Sequence, residues 1–506
     1  MTLSLSRKLT NCYIICLLLS LSLEVSGQTP LIEATKSQNK NAVTELLEQG
    51  ADVSESQGDG GTALHWAVYR NDIDLTELLL RHGAEINATD DHGVTALSLA
   101  SLNNNPQLLR VLLKQGADVN LARINGDSPL MIAASVGNTE VLGLLVEAGA
   151  NVNVREGSKG HTALMFAVAE NHIEAVRFLV AKGAATFARS INDYTPLLFA
   201  AQQGNIEIGK YLLDNGADVN ESAPDGISGN TNARWNLIPD TEASALLVAI
   251  DSGNEEMALM LLNEGADPNL DGAGRTALHS AVQHQMSTLV KVLLDSGADP
   301  NARLTRNMPV FSRVILIDNG MSVYKLGATA FFLAASFGDL EIMNILVAGG
   351  ADPQLTSNDG TTALMVAAGV DFVEGQDKYN RRWFDDNIVE LQESAMVAVA
   401  RCLELGLDIN ARNNKNQTAL HGAVYLAGNQ FISYIIENGA DINAINDRGQ
   451  TAYMIADKGE YRAGATMSLP AVARHLEQLG ANTTLGEDLG RYYERDAKEA
   501  LEASRN

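Results

Sequence analysis

The chain has 506 residues, of which 46% are hydrophobic, 19% charged and only 5% aromatic, with 36 Lys and Arg against 62 Asp and Glu. A net charge of −26 argues against a nucleic-acid binder, which needs a basic face to displace counterions from phosphates. The composition is neither that of a disordered chain nor that of collagen.

The first 27 residues have the pattern of a secretory signal. Arg7 and Lys8 precede the apolar run Cys12 to Leu23, and Val25-Ser26-Gly27 offers small residues for cleavage. Twelve apolar residues are too few to span a bilayer, so cleavage near Gly27 is expected, with an uncleaved membrane anchor as the alternative. After cleavage no membrane span remains, and the chain is expected in the periplasm or outside the cell. Of three cysteines only Cys402 would be left, so no internal disulfide is possible and the packed core must carry the stability.

From residue 29 onward one pattern repeats. A glycine opening a Gly-Ala-Asp/Asn type of turn recurs at Gly50, Gly83, Gly116, Gly149, Gly183, Gly216, Gly265, Gly297, Gly350, Gly406, Gly439 and Gly480. The successive spacings are 33, 33, 33, 34, 33, 49, 32, 53, 56, 33 and 41. A Thr or Ser lies 21 positions before most of these glycines, as Thr62 does before Gly83 and Ser128 before Gly149. Each unit reads as two short helices. The Thr or Ser caps the inner one, Pro30, Pro129 and Pro196 occupy its favoured first position, and the glycine ends the outer one. A pair this thin cannot bury its own apolar face, so the units must stack.

Gly60-Gly61-Thr62-Ala63-Leu64-His65 and Gly274-Arg275-Thr276-Ala277-Leu278-His279 resemble the opening of the ankyrin repeat, and Gly116-Ala117-Asp118-Val119-Asn120 resembles its close. The resemblance implies an all-α fold: an ankyrin-repeat α-solenoid of about twelve stacked helix pairs with turn and hairpin loops, curved, with a concave face. It covers residues 28–486 between the signal and a charged amphipathic capping helix over 487–506. It also implies a protein partner, and the chain is expected to act as a monomer with no cofactor.

Surplus residues interrupt the period near 221–241, 303–326, 370–393 and 458–469. The first insertion carries Trp235, the second Phe311 and Tyr324, and the third Tyr379, Arg381, Arg382, Trp383 and Phe384. Trp, Tyr and Arg dominate binding hot spots, and loops on a repeat scaffold usually carry function. These aromatics either contact a partner or fold back to brace their own loops. Counting within the repeat places Tyr69-Arg70, Leu102-Asn103, Gln202-Gln203, Gln283-His284, Ser336-Phe337 and Tyr425-Leu426 at inner-helix ends on the concave face. Tyr69, Arg70, Phe337 and Tyr425 are the hot-spot types among them.

No catalytic motif emerges from the sequence. His65, His279 and His421 fill the His slot of the repeat opening and are expected to bond between adjacent turns. The nine histidines show neither an H-E-x-x-H motif nor zinc spacing with Cys. Cys402 takes an outer-helix apolar position, and the EF-hand-like start at Asp267 has Leu278 where calcium needs Glu. The leading reading is an exported, non-catalytic scaffold that binds protein. Two alternatives remain: a small-ligand or enzyme-like site built by the insertions around Trp383, and a secreted effector acting on a host protein.

Overall fold

The computed structural model describes residues 29–222, 242–306, 326–370, 388–426, 428–458, 460–462 and 465–486. The signal segment, the tail 487–506 and most of the first three insertions lie outside these residues. So do Trp235, Phe311, Tyr324, Tyr379, Arg381, Arg382, Trp383 and Phe384.

The chain forms two compact units that divide after Gly265. In the first, seven helix pairs follow one another: α1 (Pro30–Lys36) with α2 (Lys40–Glu48), α3 (Ala63–Tyr69) with α4 (Ile73–Arg81), α5 (Ala96–Leu102) with α6 (Pro106–Lys114), α7 (Pro129–Val136) with α8 (Thr139–Glu147), α9 (Ala163–Ala169) with α10 (Ile173–Ala181), α11 (Pro196–Gln203) with α12 (Ile206–Asp214), and α13 (Ala245–Asp251) with α14 (Glu255–Asn263). The second unit holds five: α15 (Ala277–Gln283) with α16 (Ser287–Asp295), α17 (Ala330–Phe337) with α18 (Leu340–Ala348), α19 (Ala363–Ala367) with α20 (Ile388–Glu404), α21 (Ala419–Ala423) with α22 (Asn429–Glu437), and α23 (Ala452–Lys458) with α24 (Pro470–Gln478). These are the helix pairs that the sequence period requires.

None of these helices except α20 is long enough to be stable alone, since isolated helices shorter than about 12–15 residues are marginal in water. Packing supplies the difference. Inner helix α7 buries every residue from Pro129 to Ala134, whereas outer helix α6 buries only the stripe Leu108, Leu109 and Leu112. Each such buried leucine contributes about 1.5–3 kcal/mol. The small pair Ala133-Ala134 is fully covered, which lets successive inner helices approach closely.

Caps delimit the helices. The side chains of Thr62, Thr95, Ser128 and Thr162 accept from the backbone N–H three residues on. Thr29 departs from the expected role: its hydroxyl is buried with no hydrogen-bond partner among the described residues. At the other end of a pair, α6 closes with the backbone bonds Gly116 N–H to Leu113 O (3.1 Å) and Ala117 N–H to Leu112 O (3.1 Å). Gly116 sits at φ +86°, the left-handed position glycine tolerates best.

Within each unit, two sets of polar bonds tie successive repeats together at many of the junctions. At the hairpin tips, Asp91 N–H donates to Asp59 O (2.9 Å) and Ile124 N–H to His92 O (3.0 Å). The second set is a ladder of asparagines. Asn120 accepts from Asn151 N–H (3.0 Å) and donates to Gly149 O (3.2 Å); Asn153 does the same to Ala185 N–H and Gly183 O, both 2.9 Å. The second unit has equivalent rungs at Asn269, Asn301 and Asn410. The Asn301 rung reaches Gly350 across the second insertion, so that insertion leaves the repeat stacking intact.

The insertions leave from closed necks. Ser222 bridges Ser244 at the first, the same bridge that Ser56 and Thr62 make in an uninterrupted turn. At the second, Leu304 N–H donates to Ala328 O (2.9 Å) and Gly327 N–H to Leu304 O (2.8 Å). The end of the third is helical, because α20 begins at Ile388 and runs 17 residues against nine for its outer-helix counterparts. The fourth contains a short antiparallel hairpin, β1 (Glu460–Arg462) with β2 (Ala465–Met467).

Candidate functional site

The inner-helix ends are the part of the expected binding surface that falls within the described residues. Trp66 and Tyr69 lie three residues apart on α3 and so share one face. Their rings meet edge to face at 5.6 Å. Tyr69 is 39% exposed, and the Arg70 guanidinium lies 5.9 Å from its ring centre. From the preceding repeat, the Lys36 ammonium sits 4.8 Å from the Trp66 ring centre while pairing with Glu33 at 2.7 Å. Trp66 is held in place by its indole N–H donating to Gln57 Oε1 at 3.3 Å. The result is a fixed aromatic ledge with cations on its faces, an arrangement worth about 0.5–1 kcal/mol per exposed cation–π contact.

The other expected positions are less available. Leu102 is exposed, but the Asn103 carboxamide donates to Val68 O (2.6 Å) and Tyr69 O (3.4 Å), closing the end of α3. Gln202 is half-buried and its carbonyl accepts from Asn254 Nδ2 at 3.0 Å, while Gln203 is exposed. Phe337 at the end of α17 and Tyr425 in a 3₁₀ turn after α21 are both half-buried. Tyr69 and Arg70 therefore lie in one cluster, and Phe337 and Tyr425 belong to separate repeats of the second unit.

A second aromatic row escaped the reading of the sequence. His161 packs edge to face on Phe166 (5.8 Å) and on Phe199 (5.3 Å), and Phe199 on Tyr194 (5.2 Å). Burial lowers the His161 pKa, so its ring packs here as a neutral aromatic. The sequence did hold the signal: Trp66, Phe166 and Phe199 all stand four residues after the capping Thr.

The titratable groups behave as structure. His65 Nδ1 accepts from Thr62 N–H at 3.1 Å, and its Nε2 lies 2.9 Å from Val94 O in the next turn, which is the bridging role expected of this slot. His421 repeats it against Gln450 O at 3.2 Å. Burial drives His279 down to about 4, so it is neutral at physiological pH. Burial pushes the Cys402 thiol up to about 12, which leaves no thiolate for nucleophilic attack. The Asp267 carboxylate closes its own turn by accepting from Asn269 N–H at 2.9 Å. Among the described residues, no group of three or more His, Cys, Asp or Glu side chains is placed to hold a metal. An open groove of about 410 Å³ beside α22 brings Ser433 Oγ to 2.8 Å from His475 Nε2, as an isolated pair.

Among the described carboxyls, Glu221 combines burial with a large upward shift. Its slot, five residues after the repeat glycine, holds Leu121, Leu270 and Leu355 in other repeats. Only 7% of Glu221 is exposed; Thr195 donates to it, and burial raises its pKa to about 7 against the opposing pull of Thr195 and Arg189.

A family model for ankyrin repeats matches residues 6–90, 64–156, 130–223 and 227–303, and a single-repeat model matches residues 326–358. The chain belongs to the ankyrin-repeat family. Among curated proteins, the ankyrin repeat and KH domain-containing protein mask-1 of Caenorhabditis elegans is 32% identical over 100 residues. Those residues are 20% of this chain and 3% of the relative, so the likeness covers a small part of that protein's length. Ankyrin repeats are interaction scaffolds and imply protein partners, and no enzyme family is indicated. Among the described residues, no helix is long and apolar enough to cross a membrane.

Proposed function

We propose that this ankyrin-repeat chain is an exported, non-catalytic scaffold that acts as a monomer and binds a protein partner through its inner-helix ends. The observation that carries the proposal is the Lys36–Trp66–Tyr69–Arg70 ledge. It presents three residue types typical of hot spots, held by Gln57 and by stacking, so little side-chain freedom is lost when a partner docks. A standard interface needs about 800 Å² per partner, which a few repeats supply. In the proposal, the aromatic insertions around Trp235, Phe311, Tyr324 and Trp383 also contact a partner. Export rests on the basic, apolar and small-residue succession in residues 1–27, and the absence of nucleic acid from its partners rests on the charge of −26.

Site-directed photo-crosslinking in the native cell tests the binding face. A photoreactive phenylalanine at Tyr69 is expected to trap a discrete protein adduct that Arg70→Glu abolishes. The same probe at Glu77 on the outer helix α4 is expected to trap none. Adducts of equal yield from both positions would refute the inner-face assignment. Cell fractionation tests export separately, with the chain expected outside the cytoplasm.

A further inference from the structure

The asparagine ladder is broken at Ser54, Phe187 and Gln354, and of these three slots only Phe187 holds a large apolar residue. Its slot is the fourth residue after the repeat glycine, occupied by Asn87, Asn120 and Asn153 in three successive repeats and by Phe187 in the next. At Asn120, Asn153, Asn269 and Asn301 the carboxamide spans two backbone groups of the following repeat, a glycine carbonyl and the N–H two residues on, at 2.7–3.3 Å, and Asn87 makes the N–H bond at 2.8 Å. Beyond Phe187 the corresponding groups are Gly216 O and Asp218 N–H, and neither has a hydrogen-bond partner among the described residues. Thr186 offers only a neighbouring bond, its hydroxyl donating to Asn215 O at 3.3 Å.

Phe187, in the slot from which an Asn would bond these two groups, is 70% exposed. A large apolar side chain in water is unfavourable, and here it also costs the rung that Asn would make. What sets this break apart from those at Ser54 and Gln354 is the exposed aromatic that stands in the slot in place of a polar side chain. The turn itself is undisturbed: Ala184 stays buried, and the preceding rung from Asn153 is complete. The opening is therefore a defined donor–acceptor pair on a rigid edge with an aromatic wall.

We propose that this open rung is a second docking point, on the turn edge rather than the inner-helix face, for an extended segment of a partner protein carrying Asn or Gln next to an apolar residue. The occupant's chemistry follows from the rungs on either side. A carboxamide donates to Gly216 O and accepts from Asp218 N–H, as Asn153 does one repeat earlier, while the apolar neighbour covers Phe187. A partner bound this way continues the ladder that already joins the repeats, so it finds its hydrogen bonds in place.

Transverse-relaxation-optimised NMR of the full-length ¹⁵N-labelled chain tests this with capped dipeptides as probes. Acetyl-Leu-Asn-amide at millimolar concentration is expected to shift the Asp218 amide resonance and leave Asp118 and Asn151, whose rungs are filled, unmoved. Acetyl-Leu-Asp-amide, which lacks the carboxamide donor, is expected to bind at least tenfold more weakly. Phe187→Asn closes the rung from within, so the dipeptide shift should vanish and Asp218 amide exchange should slow about tenfold. Phe187→Ser leaves the rung open without the apolar wall and should weaken the probe about tenfold. An Asp218 resonance that ignores the Asn probe, or a Phe187→Asn protein that binds it as well as the original, overturns the proposal.

Discussion

Replacing Glu221 with Leu is the perturbation whose outcome the structure specifies most fully. The slot holds Leu121, Leu270 and Leu355 in three other repeats and an exposed Glu55 in the first, whereas the Glu221 side chain is 7% exposed and Thr195 donates to it from the cap of α11. Burial raises the carboxyl from an ordinary 4.5 to about 7, while the Thr195 hydroxyl and Arg189 pull it down and Asp218 pushes it up. A folded-state pKa above the unfolded one means that the neutral acid is favoured by folding. Its contribution is fully present below about pH 4.5 and is lost as pH rises through 7. At about 1.4 kcal/mol per tenfold change in proton affinity, the loss amounts to roughly 3 kcal/mol at most. Urea denaturation of the first unit's helices, followed by circular dichroism from pH 4 to pH 8, reads it directly. The native chain should lose stability across this range relative to Glu221→Leu, and the variant should be the more stable protein at pH 8. Parallel pH profiles for the two would show that Glu221 is solvated and ionised, and the reasoning would fail.

Three further outcomes follow from single groups. Gly126→Ala places a methyl 2.2 Å from Gly157 N at φ +91°, where neither neighbour is a movable side chain, so it should lower stability by about 2 kcal/mol or more in a thermal melt. Asn301→Ala removes a rung whose bonds are 3.3 and 2.8 Å at an exposed edge; a loss of about 1 kcal/mol in denaturant titration is expected, and no loss would remove the ladder from the stability account. Cys402 should resist a thiol reagent in the native chain at pH 8 and react fully in urea, and fast native modification would contradict its burial.

The period was legible because it rests on residues with strict backbone duties. Thr62 must cap and Gly83 must turn, so both recur at fixed spacing whatever the rest of the repeat does. The ladder was harder to see: Asn120 reads as a turn former in its own repeat, and its bonds reach residues 29 and 31 positions away. Glu221 escaped notice for a similar reason, since its slot looks unremarkable until it is set beside Leu121 and Leu355. The helical part of the third insertion was not legible, since Ile388 onward adds turns to the start of a helix whose regular counterparts have nine residues. At the inner-helix ends, counting gives the position of Tyr69, Arg70 and Asn103 but not the bonds of the Asn103 carboxamide, which go to carbonyls of the previous helix.

The central claim is that each helix pair obtains its interior from its neighbours. Circular dichroism of the excised segment 128–150, which holds α7 and α8, against the segment 95–216, which holds four pairs, tests it most directly. The four pairs should fold with one cooperative transition and the lone pair should be unfolded at room temperature. A fully helical, cooperatively melting lone pair would contradict the account.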